Sequence, residues 1–183
     1  YKVIQQCTQN SENWQQPKPI FYQKQMTKHM IPSIKRDWID QVCNVFLLRD
    51  PAKVIASYHI KEEDPEMSDI GLEEQFELFD SICQKTGSAP AVIDSWDILN
   101  APEKMLKALC KAIDIEFEES MLSWQAGPKS YDGIWAPHWY KSVWNSTGFA
   151  KPSTKKTQVP DHLMNLLDSA KPYYDKLKEY KIS

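Results

Sequence analysis

"NVFLLRDPAKVIASYH", residues 44–59, joins an apolar run to a helix start through a single arginine, and a serine follows that arginine eight positions later. The run it closes, "QVCNVFLL" (41–48), is almost continuously apolar apart from Asn44. Such a run suits a strand covered on both faces, as in parallel sheets, better than a half-exposed one. Asp50-Pro51 then supplies an N-cap followed by proline at the first helical position, where a missing N–H costs nothing. Val54, Ile55 and Tyr58 share one face of the predicted helix, Lys53 falls opposite, and Ser57 lies at the edge of the apolar stripe. Two readings of Arg49 stay open. It either solvates a strand end, or marks an anion site at the carboxyl end of a parallel strand, where its planar fork of donors matches two phosphate oxygens.

Working outward, the pattern alternates. "PIFYQKQM" (19–26) reads as a short aromatic strand, and "GLEEQFELFDSICQKTG" (71–87) as an amphipathic helix with Leu72, Phe76, Phe79 and Cys83 inward and Gly87 closing it. "APAVIDSW" (89–96) predicts another strand, and "NAPEKMLKALCKAI" (100–113) a helix capped by Asn100. "DHLMNLLDSAKPYYDKLKEY" predicts a final helix bent or broken near Pro172. Strands separated by helices at this spacing point to an α/β domain with a mostly parallel sheet. A single domain over 1–183 is expected, with residues 1–18 a polar connector and 120–160 an aromatic-rich loop region.

Composition limits the function classes. A formal net charge of −3 argues against broad electrostatic capture of nucleic acid, though not against a local basic pocket. The four cysteines, Cys7, Cys43, Cys83 and Cys110, form no CxxC pair, so neither a zinc site nor a disulfide framework is expected, and a reducing, cytoplasmic setting fits. His29, His59, His138 and His162 lack ligand spacing, so no metal is predicted. No stretch approaches the ~18 to 20 apolar residues of a membrane span.

Arg49, Asp50, Pro51 and Ser57 together resemble the signature of the sulfotransferase family, the enzymes that use 3′-phosphoadenosine 5′-phosphosulfate (PAPS). The resemblance covers roughly residues 19–183 and implies a P-loop-NTPase-like sulfotransferase fold, here N-terminally truncated. It implies that Arg49 and Ser57 hold the 3′-phosphate of the nucleotide. In "FYQKQMTKHMIP", Lys24 matches a family lysine that would lie near the sulfuryl group, whereas Met26 occupies the place of the family's catalytic histidine. His29 is the nearest replacement as general base. "AVIDSWDILNAPEKMLKALCKAIDIEF" resembles the family's strand, acidic-Leu pair, proline and helix, with Asp97, Leu99 and Pro102 in approximately those places. "KSYDGIW" echoes a C-terminal loop that wraps the 3′-phosphate, which makes Lys129 a further cofactor contact, although Ser130 replaces its first glycine.

The implied reaction is transfer of a sulfuryl group from PAPS to a hydroxyl or amine of a small-molecule or glycan acceptor. The family's phosphosulfate-binding loop lies upstream of Lys24, and no GxxxxGK[ST] cradle occurs in residues 1–183. If the chain is a piece of a longer protein, the missing part holds half of the cofactor site and this chain alone is expected to be inactive; if it is the whole protein, the enzyme reading weakens sharply. Two alternatives follow: a non-catalytic nucleotide-binding or interaction module of the same fold, and a P-loop nucleotide kinase. The acceptor and the oligomeric state are not readable from the sequence.

Other stretches keep two readings. Trp124, Trp135, Trp139 and Trp144, with Tyr131, Tyr140 and Phe149, suit either an acceptor-pocket wall or a plug at the end of the core. His138 among them is a second base or a backbone-bonded histidine. "STGF" (146–149) is an anion cradle or an ordinary turn.

Overall fold

The computed structural model describes residues 20, 22–30, 33, 35–134, 136–154 and 157–183. A 3-10 turn at Thr27–His29 and another at Ile39–Gln41 precede the first strand, β1 (Val45–Leu48). Three helices follow: α1 (Pro51–His59), α2 (Met67–Ile70) and α3 (Leu72–Thr86). Strand β2 (Ala91–Asp94) leads directly into α4 (Ser95–Asn100) and then α5 (Pro102–Ala112). Two short helices, α6 (Ala136–Trp139) and α7 (Lys141–Trp144), interrupt the aromatic-rich region before the long α8 (Met164–Lys178).

The two strands pair in parallel, from Val45 opposite Ala91 to Leu48 opposite Asp94, and α1 to α3 form the crossover between them. The chain end takes the far edge of β2: Lys181 bridges to Val92, and the Ile182 N–H donates to the Val92 carbonyl at 2.8 Å. The largest core cluster lies on one sheet face, while Ile93 of β2 is buried on the other. Phe46, Leu48 and Val92 pack with Phe79 and Ile82 of α3 and Leu177 of α8, and Phe46 meets Phe79 edge-on at 5.4 Å. Complete removal of Leu48 or Leu177 from water stabilises the fold by about 1.5–3 kcal/mol each.

Several expectations shift in detail. Residues 22–26 form no strand, and Pro19 and Phe21 of the predicted aromatic strand lie outside the described residues, as does the connector 1–18. β1 is covered on one face only. Phe46 and Leu48 are buried, but Val45 and Leu47 remain 40% and 55% exposed. β2 stops at Asp94 rather than Trp96. The Asp94 side chain accepts the Trp96 N–H at 2.7 Å and so starts α4 at the strand's own end. Asn100 is therefore the last residue of α4, and Ala101 occupies the cap of α5. Pro172 does not end α8, which runs through it with Ala170 and Leu177 buried on either side.

The helix starts and stops read from the sequence otherwise hold. The Asp50 carboxylate accepts the Ala52 N–H at 2.8 Å, with Pro51 at the first position of α1. Gly87 closes α3 in the left-handed conformation at φ 71°. Gly71, at φ 68° between α2 and α3, has a second constraint: a Cβ there would stand 2.9 Å from the Thr27 hydroxyl oxygen.

Candidate functional site

Because β1 and β2 are parallel and in register, their carboxyl ends finish side by side, and the residues just past them open on common ground. Arg49 follows β1, Ser95 and Trp96 follow β2, and both ends line one open cleft of about 880 Å³. Lys53 of α1, Tyr174 and Lys178 of α8, Lys181, and the hydroxyls of Thr154 and Thr157 complete its walls. This is the place where open parallel α/β sheets hold ligands, beyond the carboxyl ends of their strands.

The cleft's carboxylates are all engaged from within. Asp50 caps α1. Asp97 takes the Lys181 ammonium at 2.6 Å. Asp94, only 4% exposed, accepts the Trp96 N–H on one oxygen and the Tyr174 hydroxyl at 2.8 Å on the other. Burial first, and then the bond to Asp94, push the Tyr174 hydroxyl well above its ordinary pKa, so it is a fixed proton donor rather than a base. Arg49 contrasts with these groups. It is exposed at the cleft and makes no ion pair or hydrogen bond among the described residues. A guanidinium left without a carboxylate, beside three carboxylates satisfied elsewhere, leaves the cleft one fork of donors for an incoming anion.

The other residues singled out from the sequence lie elsewhere. Ser57 is exposed on α1, one turn beyond Lys53 on the same helix face and roughly 9 Å along the axis from Pro51; it is outside the cleft lining. Lys24 and His29 are exposed on the segment before β1 and also stand outside the lining. That segment is pinned by the neighbouring Lys28, whose ammonium donates to the Tyr58 hydroxyl at 2.6 Å and lies 3.6 Å from Asp69. Tyr58 in turn donates to Asp69 at 3.1 Å, and the Thr27 hydroxyl donates to the Gly71 carbonyl. Lys129 turns its ammonium onto the Gln125 carbonyl at 2.8 Å, within a loop closed by Asp132, which accepts from the Lys129 N–H and the Trp144 indole. The structure thus brings Arg49 to the cleft and does not bring Lys24, His29, Ser57 or Lys129 into its walls.

The aromatic-rich region packs on itself only in part, with Tyr131 and Trp139 left exposed. Trp124 packs edge-on against Phe149 at 5.3 Å and donates to Ser146, whose own hydroxyl donates to the Val143 carbonyl. "STGF" (146–149) bends at Thr147, whose carbonyl accepts the Trp124 N–H at 3.0 Å, and Gly148 forms an antiparallel bridge to Ser123; His138 is exposed on α6, and Trp135 lies outside the described residues.

A family model described as "Sulfotransferase domain" matches residues 7–181, nearly the whole chain. The chain belongs to the sulfotransferase domain family. Membership supports a sulfotransfer type of function in general. Two curated relatives from Arabidopsis thaliana are similar to it: branched-chain-amino-acid aminotransferase-like protein 1, 35% identical over 159 residues, and protein 2, 32% identical over 155 residues. The matches cover 87% and 85% of this chain but only 28% and 27% of those proteins, so the chain spans about a quarter of their length. No solved structure matches it. Among the described residues, no helix is long and apolar enough to cross a membrane.

For this sulfotransferase-family chain, the structure adds site candidates that the sequence reading passed over. The pattern of α1 puts Lys53 opposite the apolar face, yet it lines the cleft and places its ammonium 4.1 Å over the Trp96 ring. Its spacing of four from Ser57 was the available signal. Trp96 and Ser95 were absorbed into a strand. The N-cap potential of Asp94 would have released them to the cleft.

Proposed function

We propose that this chain forms the 3′-phosphate side of a PAPS-dependent sulfotransferase site. The observation that carries the reading is the unpaired Arg49 at the carboxyl end of the sheet, in a cleft whose carboxylates are otherwise satisfied. The donor set fits such a ligand: a guanidinium for the phosphate, with Lys53 and the hydroxyls of Ser95, Thr154 and Thr157 around it. Bound PAPS would supply the sulfuryl group to a hydroxyl or amine acceptor and leave as 3′-phosphoadenosine 5′-phosphate. Arg49 grips the 3′-phosphate, with Ser57, one turn beyond Lys53 on α1 and outside the cleft lining, as a further donor to a phosphate that reaches past Lys53. In this reading Lys24 neutralises charge on the departing phosphate, His29 receives the acceptor's proton, and Lys129 adds a phosphate contact. Each of these three roles requires its loop to approach the cleft. The acceptor is a small molecule or glycan rather than a nucleic acid, consistent with the slight negative charge of the chain. Cys43, Cys83 and Cys110 are unpaired, which suits a reducing, cytoplasmic setting.

One observation favours a second reading. Lys24 and His29 stand outside the cleft that holds Arg49, as expected of a module that binds the nucleotide without catalysing transfer. Titrating the chain with 3′-phosphoadenosine 5′-phosphate and with AMP tests the part common to both readings. The 3′-phosphorylated ligand is expected to bind at least ~10-fold more tightly. Equal affinities, or a preference for ATP with Mg²⁺, would overturn the proposal. Release of free 3′-phosphoadenosine 5′-phosphate from PAPS in the presence of an acceptor then separates the enzyme from the binding module.

A further inference from the structure

Trp96 is the large aromatic face of the cleft, 36% exposed although it is the second residue of a helix tied to the buried Asp94. Its backbone N–H is fixed by the Asp94 carboxylate, so the ring is held on a rigid corner between β2 and α4 rather than on a loose loop. Lys53 covers it with an ammonium 4.1 Å from the ring centroid. The cover is temporary by nature: the lysine stem is flexible, and cation–π contacts at exposed sites are worth only a few-fold in an equilibrium. A nucleobase stacked on an aromatic ring is worth about 5- to 100-fold. A base therefore outcompetes the lysine for the ring. The displaced ammonium stays on the first turn of α1, immediately after the Asp50 cap and close in sequence to Arg49.

We propose that Trp96 is the stacking platform for the nucleobase in this cleft, and that Lys53 occupies the ring until the base displaces it toward the phosphate held by Arg49. This inference rests on the nucleotide reading above and adds to it the residue that senses the base. It predicts a division of labour. Arg49 reads the phosphate whether or not a base is attached, Trp96 reads only the base, and Lys53 opposes one while assisting the other.

The test compares 3′-phosphoadenosine 5′-phosphate with its abasic counterpart, ribose 3,5-bisphosphate, by calorimetric titration. The readout is the ratio of their affinities, which isolates the base. In the wild-type chain the ratio is expected at about 5- to 100-fold. Trp96→Ala should collapse it to near one while leaving the abasic ligand's affinity within about two-fold, and Trp96→Phe should retain most of it. Lys53→Ala should leave the abasic ligand's affinity within about two-fold, since without a base the ammonium stays on the ring, and its effect should fall on the base-bearing ligand alone. Arg49→Ala should weaken both ligands and leave the ratio unchanged. If Trp96→Ala leaves the ratio intact while Arg49→Ala still weakens both ligands, the stacking role is wrong and the nucleotide reading survives. If the wild-type chain does not prefer the 3′-phosphorylated nucleotide over AMP, the nucleotide reading fails and this inference falls with it.

Discussion

Tyr174 donates its hydroxyl proton to Asp94 at 2.8 Å, at the point where α8 crosses the end of β2. Replacing it with phenylalanine keeps the ring's packing but leaves one oxygen of a nearly buried carboxylate without its donor. Tyr174→Phe should therefore cost about 1–3 kcal/mol in denaturant unfolding. The sign of the pH effect follows from the raised pKa. The contribution is complete below the ordinary tyrosine value of 10.0 and is lost as pH rises above it, because the unfolded chain ionises first. The stability gap between wild type and variant should shrink from about pH 10 upward; a gap that stays constant there would show that the bond is not what the variant removes. At this scale the sequence was informative where a residue's role is local. Arg49, Asp50 and Pro51 could be read because a strand exit and a helix cap are short-range features. Trp96 and Lys53 could not, since their contact joins a helix after β1 to a helix after β2, more than forty residues apart.

Among the elements, the segment before β1 is held by one relay, in which Lys28 donates to Tyr58 and Tyr58 donates to Asp69. The bond to Tyr58 raises the Lys28 pKa. Asp69 is held below the usual carboxylate range mainly by the Glu66 N–H, with the Tyr58 hydroxyl and Lys28 adding to it. Asp69's depressed pKa means its contribution is present above 3.8 and disappears as pH falls below that value. Tyr58→Phe should raise amide hydrogen exchange in residues 22–30 by several-fold while leaving β1 protected. Unchanged exchange would show that Thr27 and Gly71 hold the segment by themselves. In α8, Pro172 lacks the N–H that would reach the Asp168 carbonyl, and its ring crowds that turn. Pro172→Ala should raise stability by roughly 1–3 kcal/mol; no gain would mean that the turn is already relaxed. The amphipathic helices and their glycine stops were legible because periodicity and left-handed caps are written locally. The end of β2 was missed because Asp94 serves as a strand residue and a helix cap at once, and an apolar pattern alone does not show where one role yields to the other.

Across the whole molecule, the sequence indicated the class of fold, an α/β chain with parallel strands, while the coverage of its sheet was not written in it. The run at residues 45–48 reads as buried on both faces, yet Val45 and Leu47 are exposed, and hydrophobicity does not say which neighbour arrives to cover a residue. The site divides in the same way. Its phosphate end follows from a strand exit, whereas part of its far wall comes from Thr154, Thr157 and α8, more than one hundred residues later. Lys24 and His29 stand out by resemblance to a family segment, and their place outside the cleft depends on tertiary packing at Tyr58 and Gly71 that no spacing rule contains.

Arg49 has no ion pair or hydrogen bond among the described residues, and in the proposed reading a nucleotide's 3′-phosphate is its partner. The most direct measurement is the ratio of AMP to 3′-phosphoadenosine 5′-phosphate dissociation constants in the wild-type chain and in Arg49→Ala, taken at one ionic strength. The account predicts a ratio of at least ~10 that falls to near one in the variant, a loss of about 1.4 kcal/mol or more. A ratio that is the same in both chains would contradict it.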